Sequence, residues 1–196
     1  MDFIKFAASY GEYHHNNANK VIHVFGIPTI VFTLYAMTNS LSLFNFSVAG
    51  VDIYFNPGLI LTLLMWIIYP AVEILLGIVS AAFYTLFYWF SMSVYPSCWA
   101  DFATDTGITL TAFQFALILH ILGWVVQFIG HGFCEKRAPA LLDNLLLTAV
   151  APFFVFVEIF FALGYKPALR EECDREIEDR IAKFRAKKDA NYSKLQ

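Results

Sequence analysis

The first 165 residues of this 196-residue chain contain almost no positive charge, since nine of the thirteen Lys and Arg residues lie after residue 165. The charged fraction is only 15%, whereas hydrophobic residues make up 59% of the chain. Soluble domains usually have about 25% charged residues. The composition therefore excludes an ordinary soluble domain and indicates a membrane-embedded region followed by a charged tail. A net charge of −3 gives no reason to expect a nucleic-acid partner.

Other absences exclude whole classes of chemistry. The sequence has no phosphate-binding glycine-rich loop and no Gly-x-Ser-x-Gly nucleophile motif. It also lacks the several short histidine boxes expected of membrane desaturases and sterol hydroxylases. Three cysteines, widely spaced, do not suggest a disulfide framework. The N-terminal residues show no pattern of a cleavable signal peptide, so the first spanning helix is expected to direct insertion.

Long apolar runs are abundant, and they predict membrane helices. A membrane-spanning helix takes about 20 residues. We therefore expect four full spans, with a short amphipathic helix at residues 2–14 before them. The spans run from about Val21 to Thr38, twice through residues 58–95 with a tight turn near 77–81, and from about Ile108 to Gly130.

The distribution of basic residues predicts the orientation of these spans, because cytoplasmic loops are rich in Lys and Arg. The N-terminal segment, the segment around Lys136 and Arg137, and the tail are all basic, whereas the loops at 39–57 and 96–107 have no Lys or Arg. Four spans place the three basic regions on the cytosolic side and both loops on the opposite side.

A last apolar stretch at residues 145–164 would send the basic tail to the wrong side if it formed a fifth span, although five spans remain the alternative. The expected fold class is therefore all-α: a polytopic membrane helical bundle with four full spans and a re-entrant or interfacial helix broken at Pro152.

The tail is expected to be a solvated helix that is dispensable for chemistry. The expected parts are an amphipathic N-terminal segment with a His/Asn motif (1–20), a membrane helical domain (21–165) and a charged cytosolic helical tail (166–196).

Four of the five histidines are predicted to lie at one membrane face. His14, His15 and His23 flank the cytosolic start of the first span, and His131 ends the fourth span on that side. Neutral imidazole is the commonest metal ligand, and polar groups at membrane depth usually mark function. The sequence therefore predicts a metal site at this face. The alternative is that these histidines cap helices or contact lipid head groups.

The spacing of these residues limits how they can share an ion. His14 and His23 are nine residues apart and lie half a turn out of phase on one helix, so the helix must break between them. The polar run at 16–20 is the expected break. His131 and Glu135 are four residues apart and share a helix face. Two or three histidines with a carboxylate suit non-haem iron and oxygen chemistry.

His120 fits this arrangement less well. It lies eleven residues before His131, which is about 16 Å along a straight helix. It is expected to be a ligand only if the helix bends. Otherwise it forms a polar stripe with Trp124, Gln127 and His131 that faces the bundle interior.

Two segments resemble a known family. The first is YGEYHHNNANKVIH at residues 10–23, and the second is WVVQFIGHGFCEKRAPALLDN at residues 124–144. Together with Pro28, Pro152 and Glu158 they resemble the fungal 2-hydroxy fatty acid dioxygenases of the endoplasmic reticulum and their bacterial membrane relatives. The likeness extends over roughly residues 8–168.

The resemblance implies an Fe(II)-dependent α-oxidation in phytosphingosine catabolism. A long-chain 2-hydroxy fatty acid reacts with O₂ and yields CO₂ and a fatty acid one carbon shorter. The implied iron ligands are His14, His23 and His131, with His15 and His120 as less favoured candidates. The implied location is the endoplasmic reticulum membrane, with the active site facing the cytosol. The sequence leaves open whether the protein is an oligomer.

Further polar positions match the same family pattern. Glu135 is expected to be a fourth ligand or a group that orients the ligands. The other catalytic or orienting candidates are Asn19, Gln127 and Asp143. The candidates that neutralise the substrate carboxylate are Lys20, Lys136 and Arg137.

Two other classes of function are compatible with the residues. A non-enzymatic scaffold, or a transporter of protons or metal ions, would place ionisable groups along a path, and Glu73, His120 and Glu158 would then matter more than His14. A different membrane lipid oxidase or hydroxylase on the same metal site is the second alternative.

Overall fold

The structure, a computed structural model, describes residues 2–139 and 145–193, with side chains described for 2–139 and 147–186. This part of the chain is mostly helical. A 3-10 turn (Asn39–Leu41) and two antiparallel strands follow α2, and a π-helical turn (His131–Glu135) continues α6. The helices and strands are α1 Phe3–Gly11, α2 Asn17–Thr38, β1 Phe44–Val48, β2 Val51–Phe55, α3 Pro57–Val72, α4 Ile74–Ser93, α5 Tyr95–Thr106, α6 Ala112–Gly130, α7 Leu145–Ala162 and α8 Pro167–Ser193.

Three helical segments are long and apolar enough to cross a membrane. They are Asn17–Leu41, Ile74–Ser93 and Ala112–Glu135, and two shorter apolar helices are Pro57–Val72 and Leu147–Ala162. Large apolar side chains such as Phe25 and Ile67 are 72% and 68% exposed on the outside of the bundle. Exposed apolar surface of this kind suits contact with lipid. The predicted mostly helical fold with membrane-length apolar helices is confirmed in the described residues.

The turn between α3 and α4 lies at Glu73, so the expected turn at residues 77–81 was wrong. Glu73 ends α3 and caps α4, because its Oε2 accepts a hydrogen bond from the Leu76 N–H at 2.7 Å. Gly77 serves helix packing instead. A Cβ at Gly77 would overlap the backbone of Tyr69, so the two helices approach more closely than a side chain would permit.

The Glu73 carboxylate also fixes the segment that follows α7. Its Oε1 lies 3.0 Å from Lys166 Nζ and accepts a hydrogen bond from the Tyr165 hydroxyl at 3.4 Å. Burial alone would raise the pKa of Glu73, but the Leu76 N–H and the Lys166 ammonium outweigh it, and the pKa lies below its ordinary value. Glu73 is therefore a structural group that joins the α3–α4 turn to the end of α7.

Both predicted basic-free loops contain regular structure. Residues 39–57 include the β1–β2 hairpin, whose two turn residues Ala49 and Gly50 both have positive φ, as in a type I′ hairpin turn. Residues 96–107 were expected to be a loop, but most of them form α5, which ends at Gly107 in the left-handed region (φ 71°).

α7 is a continuous helix through Pro152, so the predicted break at this proline was wrong. A proline removes one backbone donor and disturbs the carbonyls of the preceding turn. Two buried tyrosines donate hydrogen bonds to carbonyls here: Tyr69 to Ala149 O at 3.2 Å, and Tyr84 to Pro152 O at 3.3 Å. The helix thus continues through the proline, and two carbonyls near it accept hydrogen bonds from neighbouring helices.

α8 is not a fully solvated tail, contrary to the expectation. Cys173 and Ile177 are only 2% and 9% exposed. Ile177 packs on Gly11 of α1, and Arg180 Nη1 donates a hydrogen bond to Ser9 Oγ at 2.7 Å. Its charged face carries the ion pairs Glu176–Arg180 and Asp179–Lys183 at i,i+4 spacing. One face of α8 therefore holds α1 in place.

Candidate metal centre

Three histidines from distant segments meet in the interior. His14 follows α1, His23 lies near the start of α2, and His131 begins the π-helical turn after α6. They are only 5%, 5% and 3% exposed. One ring nitrogen of each lies within 4.8 Å of the others, so the group could hold a metal ion. The sequence had predicted that these three residues converge, and the structure brings them together.

The helix break between His14 and His23 comes earlier than expected. The polar run at 16–20 was the predicted break, but Asn16 caps α2 through its Oδ1, which accepts a hydrogen bond from the Ala18 N–H at 2.9 Å. An asparagine is a strong N-cap, so the helix begins directly after it. The break therefore precedes residue 17, and His14 lies within it.

Two of the histidines are oriented by backbone carbonyls. His14 Nδ1 lies 2.8 Å from Tyr10 O, and His23 Nδ1 lies 2.8 Å from Asn19 O. An Nδ1–H that donates to a carbonyl leaves the Nε2 lone pair free for a metal. His23 Nε2 is 3.2 Å from His131 Nε2. Two nitrogens bound about 2.1 Å from one ion at tetrahedral or octahedral angles are about 3.0–3.4 Å apart, so this distance suits a shared ion.

The surroundings keep His14 neutral and its ring fixed. Burial lowers the pKa of His14 well below its ordinary value, and the nearby His23 lowers it further. Its ring stacks on Tyr10 at 3.9 Å, and Tyr10 stacks on Phe154 of α7 at 4.8 Å. His131 Nδ1 is buried without a hydrogen-bond partner in the described part of the chain. Neutral, converging imidazoles fit a divalent transition metal, with iron, zinc and copper all compatible.

The other two histidines are not brought into this cluster. His15 is exposed on the surface. His120 has both ring nitrogens engaged: Nδ1 lies 3.0 Å from Thr33 Oγ1, and Nε2 accepts a hydrogen bond from Trp124 Nε1 at 3.1 Å. His120 thus links α6 to α2. Of the expected polar stripe, Trp124, Gln127 and His131 line the cavity described below, whereas His120 does not.

Glu135 joins two of the segments that carry the histidines. Its Oε1 accepts hydrogen bonds from the Asn16 N–H at 2.9 Å and from Asn19 Nδ2 at 3.0 Å. Residues 131–135 form a π-helical turn, and both hydrogen bonds that Glu135 accepts come from the start of α2. The metal-competent cluster found among the described residues therefore comprises His14, His23 and His131, and Glu135 ties the turn after α6 to the start of α2.

Two of the three candidate carboxylate-binding cations point elsewhere. Lys20 Nζ lies 2.9 Å from Glu158 Oε1, which ties α2 to α7. Lys136 is exposed, with a positive φ of 52°. Neither residue lines the cavity next to the histidines.

Arg137 holds three segments together near the cluster. Its guanidinium pairs with the Glu12 carboxylate at 3.5 Å and donates a hydrogen bond to the Glu12 carbonyl at 3.2 Å. It also lies between two rings, 3.6 Å from the centre of Tyr13 and 4.3 Å from that of Phe184. A planar guanidinium suits such stacking. Arg137 therefore connects the end of α1, the segment after α6 and α8.

An apolar cavity of about 230 Å³ opens beside the histidines. Tyr10, His14, His23 and His131 form one part of its wall, together with Gln127. The remainder is lined mainly by apolar side chains of α2, α3, α6 and α7, including Ile27, Ile30, Val31, Leu34, Leu61, Met65, Trp124, Phe128, Leu147 and Pro152. No lysine or arginine is among the described residues that line it. The cavity suits a long apolar ligand with a small polar end at the histidines.

The sequence interpretation missed two contributors to this site. Tyr10 supports His14 by stacking and through its carbonyl, and its position four residues before His14 was the available signal. The wall formed by Thr148, Ala149 and Pro152 of α7 had no local signal. Asp143, a predicted catalytic or orienting residue, lies outside the described residues.

These features define a class: a mostly helical protein with membrane-length apolar helices, a buried three-histidine centre and an adjoining apolar cavity. Residues 1–163 match the family described as 2-hydroxy-palmitic acid dioxygenase Mpo1-like. The chain belongs to this Mpo1-like family, which confirms the resemblance seen in the sequence.

One relative is the 2-hydroxy-palmitic acid dioxygenase MPO1 of Saccharomyces cerevisiae. It is 33% identical over 172 residues, which are 86% of this chain and 86% of the yeast protein. No solved structure matches the chain.

Proposed function

We propose that this protein is an Fe(II)-dependent dioxygenase that carries out α-oxidation of long-chain 2-hydroxy fatty acids during phytosphingosine breakdown. The observation that carries the proposal is the buried three-histidine cluster beside an apolar cavity. The reaction R–CH(OH)–COOH + O₂ → R–COOH + CO₂ + H₂O balances without another reductant, because the substrate supplies the electrons that reduce O₂. The name of the yeast relative supports the same substrate class.

The histidines would hold the iron and leave positions open on it. Bound Fe(II) supplies the O₂ chemistry that side chains lack. Tyr10 and Asn19 orient His14 and His23 through their carbonyls, and Glu135 keeps the segment of His131 against the start of α2. Removal of groups that orient metal ligands typically weakens binding about 10–100-fold.

The apolar part of the cavity would accommodate the acyl tail. Its wall follows α2 from His23 to Leu34, eleven residues that rise about 16 Å. The substrate carboxylate and hydroxyl would then lie at the histidine end, where both oxygens can approach the iron. Lys20 and Arg137 are engaged in ion pairs, which favours a role in holding segments together over one in binding the carboxylate.

The proposed setting is the endoplasmic reticulum membrane, with four spans and the metal centre at the cytosolic side. The spans are α2, α3, α4 and α6, and α7 lies at the interface. Three contacts support this placement of α7. Lys20–Glu158 and Tyr10–Phe154 tie α7 itself, and Glu73–Lys166 ties the segment that follows it, to the same end of the bundle.

The contacts of the ionisable groups favour an enzyme over a transporter. Glu73 and Glu158 are each paired with a lysine, and His120 bonds to Thr33 and Trp124. A transport path needs groups that are free to exchange an ion, whereas these three join neighbouring segments.

The experiment is purification of the full chain in detergent, without oxygen and with Fe(II), followed by metal analysis and admission of O₂ with 2-hydroxypalmitate. We expect about one iron per chain and formation of the acid one carbon shorter with CO₂. A protein that binds zinc but no iron and leaves 2-hydroxypalmitate unchanged would contradict the proposal. Iron binding with another oxidised lipid product would favour the alternative lipid oxidase.

A further inference from the structure

Gln127 places an unsatisfied hydrogen-bond acceptor at the wall of the cavity. The residue is 5% exposed, it lines the cavity together with the three histidines, and its Oε1 is buried without a partner among the described residues. A buried polar atom without a partner is costly, and most such atoms are satisfied in native proteins. An unpaired acceptor on a residue that lines a ligand cavity is a candidate partner for a donor on the ligand.

The orientation of this amide follows from its other contact. Gln127 Nε2 donates a hydrogen bond to the Ile22 carbonyl at 3.3 Å. A carbonyl only accepts, so the NH₂ group must face α2 and the oxygen must face away from it. Gly26 provides the room, because a Cβ at this position would overlap the amide nitrogen.

The two polar groups of the substrate differ in what they can offer to Gln127. An ionised carboxylate has acceptors only, whereas a hydroxyl has one donor. Oε1 can therefore pair with the 2-hydroxyl and not with the carboxylate. An unsubstituted fatty acid lacks this donor and would leave Oε1 unpaired, and sites built to bind a hydroxyl reject analogues without it for this reason.

We propose that Gln127 Oε1 accepts a hydrogen bond from the 2-hydroxyl of the substrate and makes the site selective for 2-hydroxy fatty acids over unsubstituted ones. This inference rests on the proposed function. It assigns the hydroxyl to the α6 side of the cavity, held by an amide that Ile22 and Gly26 fix in place.

The test compares the binding of 2-hydroxypalmitate and palmitate to the full Fe(II)-loaded chain without oxygen, so that no turnover occurs. We expect wild type to prefer the hydroxy acid. Gln127→Met keeps the size of the side chain but removes the acceptor, so the preference should fall about fivefold to tenfold, the value of one hydrogen bond. Iron content should stay at the wild-type level, because Gln127 is not a proposed ligand.

Two glycines on the same pair of helices give a matched comparison. Gly26→Ala should displace the amide and lower the preference as Gln127→Met does. Gly123→Ala also introduces a methyl group between α2 and α6, 2.8 Å from Ile30 Cγ1, but away from the Gln127 amide. Its preference for the hydroxy acid should stay at the wild-type value.

The outcomes separate this inference from the proposed function. If Gln127→Met and Gly26→Ala oxidise 2-hydroxypalmitate and keep the wild-type preference, the inference is wrong and the function stands. A wild type that binds both acids equally also overturns the inference. A wild type that holds iron but neither binds nor converts 2-hydroxypalmitate contradicts the proposed function and the inference with it.

Discussion

His14 and His23 are held by the same device at two places in the chain. Each ring bonds through Nδ1 to the backbone carbonyl four residues earlier, one in the last turn of α1 and the other in the first turn of α2. The carbonyl selects the tautomer, and the helix turn fixes the direction of the ring. Single residues thus set the geometry of the cluster, so substitution of one histidine at a time can test the role of each.

Alanine substitutions of His14, His23 and His131 should be strongly non-additive. Ligands of one ion act as a unit, so loss of any one empties the site and a second loss adds little. We expect each single variant to lose most bound iron and at least about 100-fold in conversion of 2-hydroxypalmitate, with each double variant no worse. Iron content and initial rates of membrane-inserted protein measure this.

His15→Ala and His120→Ala are the controls for this series. His15 is exposed, and His120 bonds to Thr33 and Trp124 outside the cluster. Both variants should retain their iron, and His120→Ala should lower stability only. Full iron and activity in His14→Ala and His131→Ala would show that the cluster is not the metal site.

α1 is the element that depends most on its neighbours. It is nine residues long, below the length at which an isolated helix is stable in water. On one side Tyr10 stacks on Phe154 of α7, and on another Gly11 and Ser9 contact Ile177 and Arg180 of α8. Because α1 leads directly into His14, the contacts of α8 should influence the metal centre.

We therefore predict that Ile177→Asp lowers iron occupancy, although α8 has no metal ligand of its own. A carboxylate at this 9% exposed position would replace the apolar contact with Gly11 and lose hydration, at a cost of about 2 kcal/mol or more. α8 should then detach from α1 and leave His14 less ordered. Iron content and thermal unfolding of the detergent-solubilised protein are the measurements.

Ala182→Asp is the matched control, because it introduces the same side chain at an exposed position of the same helix. It should leave iron content and unfolding temperature unchanged. If Ile177→Asp behaved like Ala182→Asp, α8 would be dispensable for the site, as the sequence alone had suggested.

In the molecule as a whole, the metal centre and the basic segments lie at the same end of the helical bundle. Lys20, Arg137 and Lys166 are paired with Glu158, Glu12 and Glu73, respectively. These pairs join α2 to α7, the end of α1 to the segment after α6, and the α3–α4 turn to the end of α7. The β1–β2 hairpin and α5 are the connections between helices at their other ends.

Two native glycosylation sequons test the proposed orientation without engineered sites. Asn45-Phe46-Ser47 lies in β1, and Asn191-Tyr192-Ser193 lies at the end of α8. Four spans place the first in the lumen and the second in the cytosol. In microsomes we expect a glycosidase-sensitive mass shift that Asn45→Gln abolishes and Asn191→Gln does not affect. Modification of Asn191 without modification of Asn45 would contradict the four-span arrangement.

Local patterns in the amino-acid sequence predicted the class of the fold and the histidines that meet. Long apolar runs can only be satisfied as helices in a membrane, because every backbone group must be paired within the segment. Basic residues and the spacing of His14, His23 and His131 then indicated a common face, and the family motifs covered the same residues. These are properties of composition and local order, which a sequence carries directly.

The contacts that hold these parts together became visible only in the folded chain. Glu73 joins the α3–α4 turn to Lys166, and the α7 carbonyls of Ala149 and Pro152 accept hydrogen bonds from Tyr69 and Tyr84 of other helices. Gln127 donates its amide nitrogen to the Ile22 carbonyl of α2, and its oxygen has no partner among the residues that the structure describes. Each outcome depends on a partner distant in the chain, which local sequence patterns do not specify.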